Sequence, residues 1–179
     1  MESFAHELEV PGREDARLRI LGRDDWRIEY DLSRVADVPT WTMYAPDLTE
    51  ELARARAEHN VAASAAGVAA RYIVEEAGTA LGTAGFGMRG DRDFEVFYAM
   101  KPEGRGRGLA TDAVLTIVGW LRRQGEQRVW LSTLDGNTAS ERLADRVGFV
   151  RVGAGVHTDG RPITEWLLTL PTASAPSDR

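Results

Sequence analysis

With 179 residues and 43% apolar content, the chain has the length and composition of one globular domain with a sizeable core. The absence of cysteine excludes disulfides, thiolate nucleophiles and cysteine-based zinc sites. A net charge of −6 argues against a nucleic-acid partner, which would call for a basic face.

No apolar run approaches the roughly 20 residues of a membrane span, so no membrane partner is expected. The first residues, Met1-Glu2-Ser3-Phe4-Ala5-His6-Glu7, are acidic and unlike a secretory leader, which makes a cytoplasmic location the default. Lys101 is the only lysine, so single arginines carry little weight as evidence.

Residues 1–14 read as a polar extension with a short edge strand near His6–Val10. Ala16–Leu21 alternates as a strand, and Asp24–Val35 has helical character that ends near Pro39. Asp47-Leu48-Thr49-Glu50 has capping-box spacing and predicts a helix to about Ala63. Strands are expected over Ala70–Glu75 and Thr79–Gly87, joined at Ala77-Gly78. Asp93–Met100 continues as a strand, with Phe94, Val96, Tyr98 and Met100 on one face and Glu95, Phe97 and Ala99 on the other.

Leu109–Arg123 predicts a helix whose apolar stripe is Ala110, Ala113, Val114, Ile117, Val118 and Leu121. Gln127–Leu134 reads as a strand, and Asn137–Val147 as a helix capped by Asn137 and stopped by Gly148. Strands Phe149–Val156 and Ile163–Leu170 meet at Asp159-Gly160, and Pro171–Arg179 has a disordered composition.

Two glycine patterns compete for a phosphate. Gly85-Phe86-Gly87-Met88-Arg89-Gly90 fits the dinucleotide pattern, but a strand rather than a helix follows it, so it reads as a hairpin. Arg105-Gly106-Arg107-Gly108-Leu109-Ala110 lies between a strand and a helix. There, backbone N–H groups, a helix N-terminus and missing Cβ atoms meet the needs of a pyrophosphate. The bland reading of this loop is a Gly-rich connection that merely turns the chain.

The Arg105-x-x-Gly108-x-Ala110 spacing resembles the pyrophosphate loop of the GCN5-related N-acetyltransferases. So do Pro102-Glu103 before it, Asn137-x-x-Ser140 and Gly148-Phe149 after it, and the order of elements over residues 15–170. The chain is most similar to the ribosomal-protein N-terminal acetyltransferase type, through Arg17-Leu18-Arg19-Ile20, Asp47–Glu51 and Glu95. The resemblance implies an α+β fold with a mixed, mostly antiparallel central sheet of about six to seven strands flanked by helices. It implies a single domain at 15–170, acetyl-CoA as co-substrate, an amine acceptor (a small molecule or a protein N-terminus) and a possible homodimer.

Pantetheine would then lie between two parallel strands that splay apart, pairing near Met100. The N–H groups of Arg105, Gly106, Arg107, Gly108, Leu109 and Ala110 would hold the pyrophosphate, with added charge from Arg105, Arg107 and Lys101. Transfer would be direct, with a base for the amine and a donor for the developing oxyanion near Met100.

The resemblance makes Glu95 the base; the alternative is a solvent-facing strand glutamate. A tyrosine common in the family four residues before Gly-Phe is replaced here by Ala144. Ser140 is then either the group serving the CoA sulfur or a first-turn hydroxyl. Asn137 reads as an N-cap, and the resemblance implies that it also contacts the cofactor or an ordered water. An acyl-CoA-binding module with little transferase activity is the alternative from a different class. Trp41, Tyr44 and Trp26 are candidate acceptor walls. His6, His59 and His157 share no ligand spacing, so no metal is expected.

Overall fold

The computed structural model describes residues 4–171, so the tail at 172–179 lies outside the described residues. Among the described residues, alternation and turns build eight strands: β1 (Glu7–Glu9), β2 (Ala16–Ile20), β3 (Ala69–Glu76), β4 (Thr79–Arg89), β5 (Asp93–Met100), β6 (Arg128–Leu134), β7 (Val150–Val156) and β8 (Pro162–Thr169). They form one sheet in the order β1-β2-β3-β4-β5-β6-β8-β7. Every neighbouring pair is antiparallel except β5 and β6. The mixed α+β sheet is the expected one, with eight strands rather than six or seven. The additional edge strand arises because Glu7, Leu8 and Glu9 pair with Arg19, Leu18 and Arg17. The segment before residue 15 is thereby joined to the sheet.

Five α-helices among the described residues cover its two faces: α1 (Trp26–Ser33), α2 (Val38–Trp41), α3 (Glu50–Ala65), α4 (Leu109–Arg123) and α5 (Thr138–Val147). The expected helix at 24–35 is shorter at both ends. A 3₁₀ turn at Arg23–Asp25 precedes it. Pro39, which has no N–H to extend a ladder, sits in the first turn of α2. The expected cap of α3 also moves. Asp47 has φ 52, which an N-cap does not adopt. Thr49 caps instead, its hydroxyl accepting from the Leu52 N–H.

Val114, Ile117 and Leu121 of the α4 stripe, joined by Leu109, meet Tyr72, Val74, Phe86, Val96 and Val129 in the larger core on one face, and Ala110 is only partly buried against it. The smaller core lies on the opposite face, with Trp26, Ile28 and Leu32 of α1 and Ala53 and Ala57 of α3 against Ile73 and Ala99. β5 thus divides as its alternation predicts: Val96 and Met100 face the larger core and Ala99 the smaller. The dinucleotide-like pattern lies inside β4 and its following turn, as its context required.

Candidate active site

The cleft begins where β5 and β6 separate. Their parallel pairing consists of two residue pairs, Phe94 with Val129 and Glu95 with Trp130. Beyond Glu95 the strands part, and β5 presents an unpaired edge from Val96 to Met100. Backbone direction alternates along a strand, and the Lys101 N–H is taken by the Leu81 carbonyl of β4, at 2.8 Å. Tyr98 and Met100 therefore turn their amide groups toward the gap. A cleft of about 1000 Å³ runs through it, from the 105–111 loop to the β7–β8 hairpin.

At one end of the cleft the chain offers a row of unused donors. Gly108 is the N-cap of α4 and sits in the left-handed region at φ 79, which favours glycine. The N–H groups of Gly106, Arg107, Gly108, Leu109, Ala110 and Thr111 have no partner among the described residues, whereas that of Arg105 bonds to the Pro102 carbonyl at 3.1 Å. The row therefore starts one residue later than the motif suggests. Six free amides at a helix N-terminus, open for lack of Cβ at Gly106 and Gly108, fit a pyrophosphate.

The arginines around this row are tethered. Arg107 pairs with Glu76. Arg105 is bidentate to Asp37 (2.7 and 2.9 Å) and donates twice to the Met100 carbonyl (3.0 and 2.8 Å). The hydrogen bond from Arg105 is the largest influence on the Asp37 carboxyl and holds it below its usual value. Lys101 pairs with Asp31 at 3.1 Å. Arg13, which the sequence did not single out, joins the loop from the N-terminal segment. It contacts Asp112 at 2.6 Å, Glu76 at 3.0 Å and the Arg107 carbonyl. A lone arginine in a polar segment carries no motif signal.

Where the gap narrows, Ser140 and a residue missed by the sequence reading come together. Asn137 caps α5 by accepting from the Ser140 N–H at 3.2 Å. The Ser140 hydroxyl lies 2.7 Å from the Tyr98 hydroxyl. Burial raises the Tyr98 phenol, against a smaller opposing effect of this hydrogen bond, so it remains protonated at neutral pH. Ala144 removes one tyrosine, and β5 brings another to the neighbouring serine. Alternation placed Tyr98 on the core face, and its tip reaches the cleft only because the strands part there.

Across the sheet, Glu95 lines the cleft with its side chain about one-third exposed. Arg89 of β4 bonds to it at 3.3 Å, also contacts Glu165 of β8, and lies over the Trp130 ring at 4.2 Å. Two carboxylates thus share one guanidinium, a net negative charge beside the splay. Glu165 was not legible in the sequence, because its place opposite Ser132 follows from the β6–β8 register.

Of the three candidate aromatic walls, Trp41 and Tyr44 line the cleft. Trp26 is buried in the smaller core, stacked by Arg27 and Arg54. His157 lies at the far end, 2.9 Å from Asp159, and Arg161 ties that hairpin to the Thr40 and Thr42 carbonyls. No cluster of metal-ligating side chains occurs among the described residues.

A splayed parallel pair beside a helix N-terminus with free amides suits an extended ligand that carries a pyrophosphate. Residues 17–150 match the family described as the acetyltransferase (GNAT) domain, and the chain belongs to that family. It is an acetyl-CoA-dependent N-acetyltransferase. No curated protein matches it in sequence.

Solved structures share the fold at low identity. The RimL ribosomal L7/L12 alpha-N-protein acetyltransferase in complex with coenzyme A has a TM-score of 0.79 at 15% identity, over 90% of this chain and 97% of that one. The ribosomal-protein-S5-alanine acetyltransferase from Vibrio fischeri gives 0.73 at 18%, over 87% and 93%. The microcin C7 self-immunity acetyltransferase MccE, with acetyl-CoA and AMP, gives 0.78 at 14%, over 88% and 94%. No helix among the described residues is long and apolar enough to cross a membrane.

Proposed function

We propose that the chain acetylates a primary amine, on a small molecule or a protein N-terminus, by direct transfer with no covalent enzyme intermediate. The observation that carries this reading is the two-sided cleft. Free main-chain donors lie at one end, a carboxylate pair at the other, and the Tyr98–Ser140 hydroxyls sit where the strands part. Acetyl-CoA supplies an activated thioester.

The amides of Gly106 to Thr111 hold the pyrophosphate, and the exposed edge of Tyr98 and Met100 aligns the pantetheine arm. Arg105 must release the Met100 carbonyl for that pairing to extend to Met100, and its guanidinium is then free to add charge at the phosphates. Glu95 takes the proton of the incoming ammonium, while the Met100 N–H faces the thioester oxygen. Tyr98, with Ser140 as its partner, donates to the departing sulfur. The absence of cysteine and the engagement of Ser140 with Tyr98 support direct attack.

The test is acceptor-dependent thiol release from acetyl-CoA over a panel of amines and N-terminal peptides. Glu95→Gln lowers the rate most at neutral pH and least at high pH, where free amine is abundant. Equal loss at every pH removes Glu95 from the role of base.

A further inference from the structure

Behind Glu95 the cleft floor changes sign. β4 carries Gly85 and Gly87 on this face, and across the bare strand Arg71 of β3 lays its guanidinium over Phe97 of β5, 4.5 Å from the ring centroid. A side chain at position 85 would close that passage, since its Cβ would stand 2.7 Å from the Phe97 ring. Arg71 Nη1 donates to Tyr44 at 3.2 Å and Thr83 at 3.1 Å. Its buried Nε faces the Glu29 carboxylate at 3.5 Å, and its Nη2 has no partner among the described residues.

Arg56 lies beside it, over the Tyr44 ring at 4.4 Å. The carboxylate facing both is the fully buried Glu29, which bonds to Arg56 at 2.7 Å and Asn60 at 3.2 Å and stands 3.5 Å from Arg71. Two guanidiniums against one carboxylate leave one positive charge unmatched, in walls that exclude much of the water. Arg71, Arg56 and Tyr44 all line the cleft.

We infer that this corner, built on Arg71, is a subsite for a carboxylate carried by the acceptor, one residue beyond its reacting amine. The inference rests on the reading of Glu95 as the amine end. Glu95 and Phe97 are alternate residues of one strand face, so the positions that mark the two ends of this site are roughly 7 Å apart along β5. A dipeptide with a free C-terminus, or a peptide with an acidic second residue, has the span. A carboxylate facing a half-satisfied guanidinium in a shielded site forms a hydrogen-bonded ion pair, stronger than the bond that the neutral carbonyl of its amide analogue can accept.

The test needs no variant. With saturating acetyl-CoA, kcat/KM is measured for Ala-Asp-Ala-amide against Ala-Asn-Ala-amide, and for Ala-Gly against Ala-Gly-amide. The acid of each pair is favoured about tenfold to a hundredfold, mostly in KM. The first pair isolates an acidic side chain as the source and the second a free C-terminus; preference in either upholds the subsite. Arg71→Gln brings the acid down to the level of its amide. Equal turnover of acid and amide in both pairs by the wild type, or full preference in a folded Arg71→Gln protein, overturns the proposal.

Should no peptide turn over, calorimetry of the same pairs on CoA-loaded protein separates the two readings. Acid preference without transfer leaves the subsite standing and sinks a peptide amine as the group acetylated. No acid preference sinks the subsite.

Discussion

Gly108→Val tests the amide row most directly. Gly108 is exposed at φ 79, and a Cβ there would come no nearer than 3.6 Å to Arg13 Nη2. The substitution is therefore not a packing clash, and its cost is backbone strain of about 1–2 kcal/mol or somewhat more for a β-branched residue. The chain escapes that strain by leaving the left-handed region, which swings the neighbouring peptide groups out of line.

Losing two charge-assisted bonds to phosphate at about 1.5–3 kcal/mol each comes to about 3–6 kcal/mol, or roughly a hundredfold to ten-thousandfold in Kd. Calorimetric titration with CoA measures that loss, and thermal melting measures the smaller effect on folding. Gly90→Val is the control: its φ is 60 and nothing lies within 4 Å of its Cβ position, but it sits in the β4–β5 turn away from the loop. It costs similar stability and leaves CoA affinity intact. If Gly108→Val bound CoA as tightly as Gly90→Val does, the row of amides would not be what holds the phosphates.

Three further outcomes are expected. Tyr98→Phe removes the hydroxyl 2.7 Å from Ser140 and lowers kcat by about 10²-fold while leaving the Kd for CoA within a few-fold; an unchanged kcat eliminates the phenol as a donor to sulfur. Gly85→Ala places a Cβ 2.2 Å from the Ala70 carbonyl oxygen and lowers folding stability by about 1–3 kcal/mol or more, measured by urea denaturation.

The third concerns acid. Burial pushes the Glu75 carboxyl up, but hydrogen bonds from Arg17 and Arg19 outweigh it and hold it below its usual value. Asp25 is likewise held low against burial, by Arg19 and the Gly22 N–H. Depressed carboxylates stabilise the fold above about pH 4 and lose that contribution as pH falls through their folded values. Glu75→Gln therefore lowers the Tm at pH 7, and its deficit shrinks on acidification toward pH 2; a deficit independent of pH contradicts the assignment.

Much of this fold is written in local pattern. The two-residue alternation of β5 assigned its faces correctly, and the α4 stripe fell on the core as its 3.6-residue period required. Local chemistry misled where two signals overlapped. Asp47 and Thr49 both suit a cap, and the turn at Asp47 decided for Thr49. The edge strand β1 has three residues and little periodicity, so only its partner β2 defines it.

By itself, the sequence determined the family, the order of elements and the glycine-bearing loop that opens α4. Those depend on residues adjacent in the chain: glycines lacking Cβ, a helix start, an alternating strand. Tertiary structure alone decided which distant side chains share a site. The pairing of Tyr98 with Ser140, of Arg89 with Glu95 and Glu165, and of Arg71 with Phe97 depends on strand register and on how far β5 and β6 part. Register is set by the cooperative packing of a whole sheet against two cores, and no short window of residues encodes it.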